Sequence, residues 1–200
     1  LYEARSYTNL LIQQYQNNKA TVQYPQIIGL PSTETQIKLN KAIKDKVFSL
    51  MDENGIKRKD LEEMRGLFEV KLNQGDWLSI VFTNYAYWKN AAHGLTLQGS
   101  ITMNVKTGTI YELRDLFKEG SYYKTRLTAL IKKQFKEFQF PLIQPYQSVK
   151  DTDDFYLTKS GLVIYYQSYE YTPYYVGIPE FTIPYNKIAS ILKPEVKISS

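Results

Sequence analysis

The chain has one histidine, His93, and no cysteine. Disulfides, thiolate metal sites and cysteine nucleophiles are therefore excluded, and so is a histidine-rich zinc site within the chain. A serine–histidine–acid triad would have to use His93, in Asn90-Ala91-Ala92-His93-Gly94, yet no Gly-x-Ser-x-Gly elbow presents a nucleophile. A turn histidine bonded to its own backbone is the plainer use of that residue. Gly94 and Gly99 do not open a helix, so no phosphate cradle is formed. Asp151, Asp153 and Asp154 have the density of a calcium loop, but the glycine and later glutamate of an EF-hand do not fall where required. No metal and no cofactor is expected. Glu170 and Glu180 flank an aromatic stretch and are the pair of acids to check for glycoside chemistry.

That stretch, residues 169–185, holds five tyrosines, three prolines and one glycine. Proline fixes φ and removes a donor, which excludes regular helix and disfavours a central strand. Residues 172–179 therefore read as a rigid aromatic loop. Tyrosine combines a flat apolar face with a polar tip, the mixture favoured at binding surfaces. The simpler alternative is a loop whose rings cover the edge of a core.

The elements that must position these residues follow from periodicity. Residues 1–18 read as a strand or a short helix. Residues 21–28 read as a strand, placed at a sheet edge by Pro25. A helix starts near Thr33, with Gln36 completing a capping box and Ser32 as a competing cap. Ile37, Leu39, Ile43, Val47, Leu50 and Met51 give it a buried face, and Asn54-Gly55 ends it. Residues 60–64 suggest one more helical turn, closed off by Gly66. Strands are expected over 67–72, 77–88, 95–105 and 109–112. Short loops between neighbours imply antiparallel pairing. Residues 113–117 form a helical turn. A second helix runs over 122–138, capped by Ser121 and buried through Leu127, Leu130, Ile131 and Phe135. A hairpin follows over 155–157 and 162–166, then a strand over 180–183. A last helix starts at Pro184, with Ile188, Ile191 and Leu192 turned inward. The fold class is α+β, an antiparallel meander with two or three helices packed on it, divided into residues 1–87 and 88–200 packed as one ectodomain.

Composition bounds the setting. The 200 residues are 43% apolar and 22% charged, as in ordinary globular chains. Eighteen tyrosines against nine phenylalanines suit β-rich structure with partly wet surfaces. The net charge of +5 favours acidic partners. Lysines and arginines are spread along the chain rather than clustered, which argues against nucleic acid. Absence of cysteine is common in secreted proteins of Gram-positive bacteria, and a start at Leu1 rather than methionine suggests that an N-terminal segment has been removed, which leaves room for a signal peptide or membrane anchor outside this chain.

The order of the motifs is more specific than any one of them. It runs through Tyr24-Pro25-Gln26-Ile27 with Gly29, Asn40 in the first helix, Leu78-Ser79-Ile80 and Ala92-His93-Gly94. It continues through Leu113-Arg114-Asp115-Leu116-Phe117, Phe155-Tyr156-Leu157-Thr158, Leu162-Val163-Ile164-Tyr165-Tyr166 and residues 171–184. In this the chain resembles the extracytoplasmic domain family of the anti-sigma factor RsiV and of PdaC-type peptidoglycan deacetylases, over residues 21–192. The resemblance implies export, a cell-surface location, and no catalysis in this part. It also implies a lysozyme-binding relative that uses a Pro-x-Tyr pair, matched here by Pro173 and Tyr175. Near His93-Gly94 that relative carries serines instead. The candidate ligand-binding residues are Pro173, Tyr175, Tyr174, Tyr171, His93 and Gly94. The partner expected is an envelope protein such as lysozyme, with peptidoglycan, bound by an accessory module, as the alternative.

Overall fold

A computed structural model describes residues 7–196 and residue 198. The first six residues, which the sequence assigned to a strand or helix, lie outside the described residues. The chain divides into two compact units, Leu1–Ile110 and Tyr111–Ser200. The sequence placed the division after Tyr87. The strand that ends there is hydrogen-bonded along its length to the next one, so both belong to the first unit.

The first unit comprises β1 (Asn9–Gln16), β2 (Ala20–Ile28), α1 (Thr33–Glu53), β3 (Leu61–Gln74), β4 (Trp77–Trp88), β5 (Leu95–Asn104) and β6 (Thr109–Ile110). The strands form one six-stranded sheet in sequence order. Neighbours are antiparallel except β2 and β3, which run parallel with α1 as the crossover between them. An all-antiparallel sheet is thereby corrected to a mixed one, within the α+β class. β2 is also not an edge strand: it lies between β1 and β3. Its ladder to β3 covers only Ala20, Thr21 and Val22. Pro25 sits beyond that point, where a missing N–H removes no bond to β3.

The open half of β2 is completed from α1. Asn40 accepts from Ile27 N at 2.7 Å through Oδ1 and donates to Ile27 O at 2.8 Å through Nδ2, as a neighbouring strand would. One turn earlier, Gln36 accepts from Leu30 N at 3.0 Å. Gln36 is thus unavailable for a capping box, and Ser32 is the N-cap, its Oγ accepting from Thr35 N at 3.1 Å. Leu39, Ile43, Val47, Leu50 and Met51 are buried against the sheet with Ile27, Leu78, Ile80 and Met103. Ile37 is 64% exposed, because two residues from Leu39 is more than half a helical turn away. The helical turn expected over residues 60–64 is instead the start of β3, where Leu61 pairs with Trp88 of β4. Gly66 lies inside β3, opposite Val22.

The second unit opens with a 3-10 turn, Leu113–Leu116, followed by α2 (Tyr123–Glu137). A second sheet is formed by β7 (Phe155–Leu157), β8 (Gly161–Tyr165) and β9 (Glu180–Pro184), all antiparallel. α2 buries Leu127, Ile131 and Phe135 and lies on β9, where Phe135 packs on Phe181 at 4.4 Å, and Leu130 is only half-buried. Ser121 does not cap α2: its hydroxyl donates to Lys118 O at 2.6 Å. The last helix is a single turn, α3 (Tyr185–Ile188), with Ile188 and Leu192 buried and Ile191 half-buried. The chain then returns along residues 116–118, with Lys118 N bonded to Ile191 O and Lys193 N to Leu116 O, both at 2.9 Å.

Candidate functional site

The aromatic loop connects β8 to β9. Its base is a compact turn in which Tyr169 N donates to Thr172 O at 3.0 Å and Gln167 N donates to Glu170 Oε2 at 3.1 Å. Tyr169 takes a left-handed conformation, φ 69°, which non-glycine residues adopt at a cost. Pro173 then caps a short 3-10 turn, Tyr174–Val176, which ends at Gly177 with φ 77°. The hydroxyl of Ser168 donates to Gly177 O at 2.8 Å and closes the loop. Proline at the entry and glycine at the exit each meet a backbone requirement, so the loop is held rigidly.

Its tyrosines divide into two groups. Tyr175 is 78% exposed and Tyr169 51% exposed. Tyr174, half-buried, stacks on Tyr169 with ring centroids 5.7 Å apart. Pro173 is half-buried beside them. Tyr171 differs. It is 6% exposed and packs edge-on against Tyr146 (5.2 Å), Tyr166 (4.9 Å) and Phe135 (6.4 Å). Its inclusion among the ligand-contacting residues is corrected: Tyr171 anchors the loop in the core.

Below Tyr171 runs a buried hydroxyl relay. Tyr166 donates to Asp153 Oδ2 at 2.9 Å, so the 2.8 Å contact between the Tyr146 and Tyr166 hydroxyls has Tyr146 as donor. Burial raises the Asp153 carboxyl above its ordinary range, against the opposing bonds from Lys150 N and Tyr166. Burial likewise raises Glu170. Glu180 accepts from Tyr156 OH at 3.0 Å. Asp151 is bound by Lys124 at 2.7 Å and by Tyr123, which hold its carboxyl below the usual range. These carboxylates thus have structural partners, and among the described residues no group of three or more His, Asp or Glu could hold a metal ion.

His93 and Gly94 lie in the other unit, in the loop from β4 to β5. His93 is exposed, and its Nδ1 lies 2.9 Å from Gly94 O. A carbonyl only accepts, so Nδ1 is the donor in this contact. Gly94 is buried, and a Cβ there would fall 2.3 Å from the Tyr85 ring, so any side chain at this position would have to displace that ring. Asn90 in the same loop has φ 63°.

Sequence reasoning missed the neighbour of the aromatic loop. Residues 138–144 run beside it, with Ile143 N donating to Tyr171 O at 2.9 Å and Gln144 Nε2 to Glu170 O. Phe138, Leu142 and Ile143 are 51%, 45% and 52% exposed. The available signal was Phe140-Pro141-Leu142-Ile143, an apolar run that proline keeps out of helix.

Comparison with known proteins follows the same division. Residues 13–96 match the family model described as deacetylase PdaC, and residues 114–186 match the one described as a protein of unknown function, DUF3298. The anti-sigma-V factor RsiV of Bacillus subtilis (strain 168) is 30% identical over 115 residues. Across both units the chain is thus similar to the RsiV- and PdaC-type domain family. The RsiV match covers 52% of this chain, which spans 40% of that relative's length. Two solved DUF3298 structures share the fold: one from Pseudomonas aeruginosa PAO1 with TM-score 0.68 at 15% identity, covering 96% of this chain and 97% of that one. The other, from Bacteroides fragilis NCTC 9343, has TM-score 0.62 at 16% identity, covering 95% and 94%. No helix among the described residues is long and apolar enough to cross a membrane.

Proposed function

We propose that this chain is a non-catalytic binding or sensing domain that acts outside the cytoplasm at a bacterial cell envelope. It recognises a protein ligand such as lysozyme through Pro173, Tyr174 and Tyr175. The observation that carries the reading is the state of Tyr175: a large aromatic side chain, 78% exposed, on a loop fixed by Pro173, Gly177 and Ser168. A rigid exposed aromatic is the kind of residue that dominates protein interfaces. The match to an anti-sigma factor supports a sensing role. The structural use of Asp153, Glu170 and Glu180 supports a non-catalytic one.

A second reading, an accessory module that binds wall glycan, is favoured by the stacked Tyr169–Tyr174 pair and by the PdaC match. Calorimetric titration with lysozyme beside a pull-down on purified peptidoglycan separates the two. The sensing reading expects a 1:1 protein complex. Retention on peptidoglycan with no heat of lysozyme binding would transfer support to the glycan reading.

A further inference from the structure

Among the described residues, the large exposed apolar side chains of the second unit, Tyr122 apart, come from two adjoining loops. Phe138, Leu142 and Ile143 come from the loop after α2, and Tyr169 and Tyr175 from the loop between β8 and β9. The two loops are joined by the bonds from Ile143 N to Tyr171 O and from Gln144 Nε2 to Glu170 O. Both are held rigidly from below. Phe140 packs on Phe135 and Phe181, each at 6.3 Å, and Phe138 on Phe140 at 5.4 Å. Tyr171 anchors the other loop in the same aromatic core through Phe135. Each loop also starts with a left-handed non-glycine residue, Gln139 (φ 53°) and Tyr169 (φ 69°). Such strain persists only where surrounding structure imposes it, and it concentrates at functional sites. Contiguous exposed apolar surface on a rigid frame marks an interaction site.

We infer that the recognition surface is this two-loop face, and that its occupant is a folded protein presenting an uncharged, apolar surface. This rests on the protein-binding reading above. The chemistry of the face selects the occupant. Residues 138–144 and 169–179 contain no lysine or arginine, and their one acid, Glu170, is turned to Gln167 N. The net charge of +5 is carried elsewhere, so an anionic wall polymer finds no cation within these loops. Leu142 and Ile143 offer no hydrogen bonds to sugar hydroxyls, and a saccharide site needs convergent polar groups. Exposed aromatic side chains with charge depleted around them are the composition of a protein interface centre.

The test is titration with lysozyme, and separately with soluble peptidoglycan fragments, of the wild-type chain, Tyr175→Ala, Leu142→Asp, Ile143→Asp and Tyr122→Ala. Tyr122 is 84% exposed, lies in the same unit and is outside the face. Leu142→Asp and Ile143→Asp are each expected to weaken lysozyme binding about tenfold or more. Tyr122→Ala is expected to leave it unchanged, with all thermal midpoints retained. Weakening by Tyr175→Ala alone overturns the two-loop face and leaves the protein-binding reading standing. Binding of peptidoglycan fragments that depends on Leu142 and Ile143 overturns the protein occupant. Absence of lysozyme binding by the wild-type chain overturns both that reading and this inference.

Discussion

Tyr171 and Tyr175 lie in the same loop, and their substitution by alanine should have opposite consequences. Tyr171 is 6% exposed with three ring partners, Tyr146, Tyr166 and Phe135. Truncating a buried aromatic side chain costs about 3–5 kcal/mol, the spread reflecting how far the cavity can collapse. The rings around Tyr171 are themselves tied by the hydroxyl relay to Asp153, which limits collapse. We expect about 4 kcal/mol for Tyr171→Ala, a large fraction of a small domain's total stability. Tyr175 is 78% exposed, and its truncation should change stability by about 0.5 kcal/mol at most. Both tryptophans, Trp77 and Trp88, belong to the first unit, so tryptophan fluorescence would miss the effect. Hydrogen exchange of β8 and β9 amides against urea reads it directly. Loss of protection in Tyr171→Ala with wild-type protection in Tyr175→Ala is the expected result. Equal loss in both would refute the division of the loop into anchor and contact.

Three further outcomes follow from the geometry. Asn40→Ala leaves Ile27 N–H and C=O unpaired in a residue with no exposure, at a cost of about 2 kcal/mol or more by chemical denaturation. Asn40→Asp should be worse at neutral pH, because a carboxylate faces Ile27 O, and should recover as acid restores a donor. Asp153, with its folded carboxyl raised by burial, holds more protons folded than unfolded. Its contribution to stability is present below the unfolded carboxylate range and is lost as pH rises through the raised folded value. Asp153→Asn keeps an acceptor for Tyr166 and should flatten that decline, and an unchanged pH profile would contradict the assignment. Thr172 is fully buried with no partner for Oγ1, so Thr172→Val should be neutral or stabilising in a thermal melt; clear destabilisation would show that the hydroxyl is bonded.

Legibility in the sequence tracked locality. α1, β4 and the β7–β8 hairpin were readable because each carries its own period or turn. The parallel pairing of β2 with β3 was not, since it depends on a crossover whose ends meet only in the fold. Asp60-Leu61-Glu62-Glu63-Met64 has helix-forming composition, yet pairing of Leu61 with Trp88 draws it into β3. Asn40 could be noted as a landmark but not understood: its use appears only when Ile27 is brought opposite it. Among the tyrosines of the loop, composition could not separate Tyr171 from Tyr175, because the difference is made by Phe135 and Tyr146, far away in the chain. The face formed with residues 138–144 was hidden for the same reason.

The proposed sensing role rests on Tyr175 as a recognition residue. Isothermal titration of lysozyme into the wild-type chain and into Tyr175→Ala tests it most directly. A saturable 1:1 complex is expected, which the substitution weakens by about 2 kcal/mol, roughly thirtyfold in Kd, with folding unchanged. Identical affinities for the two proteins would contradict it.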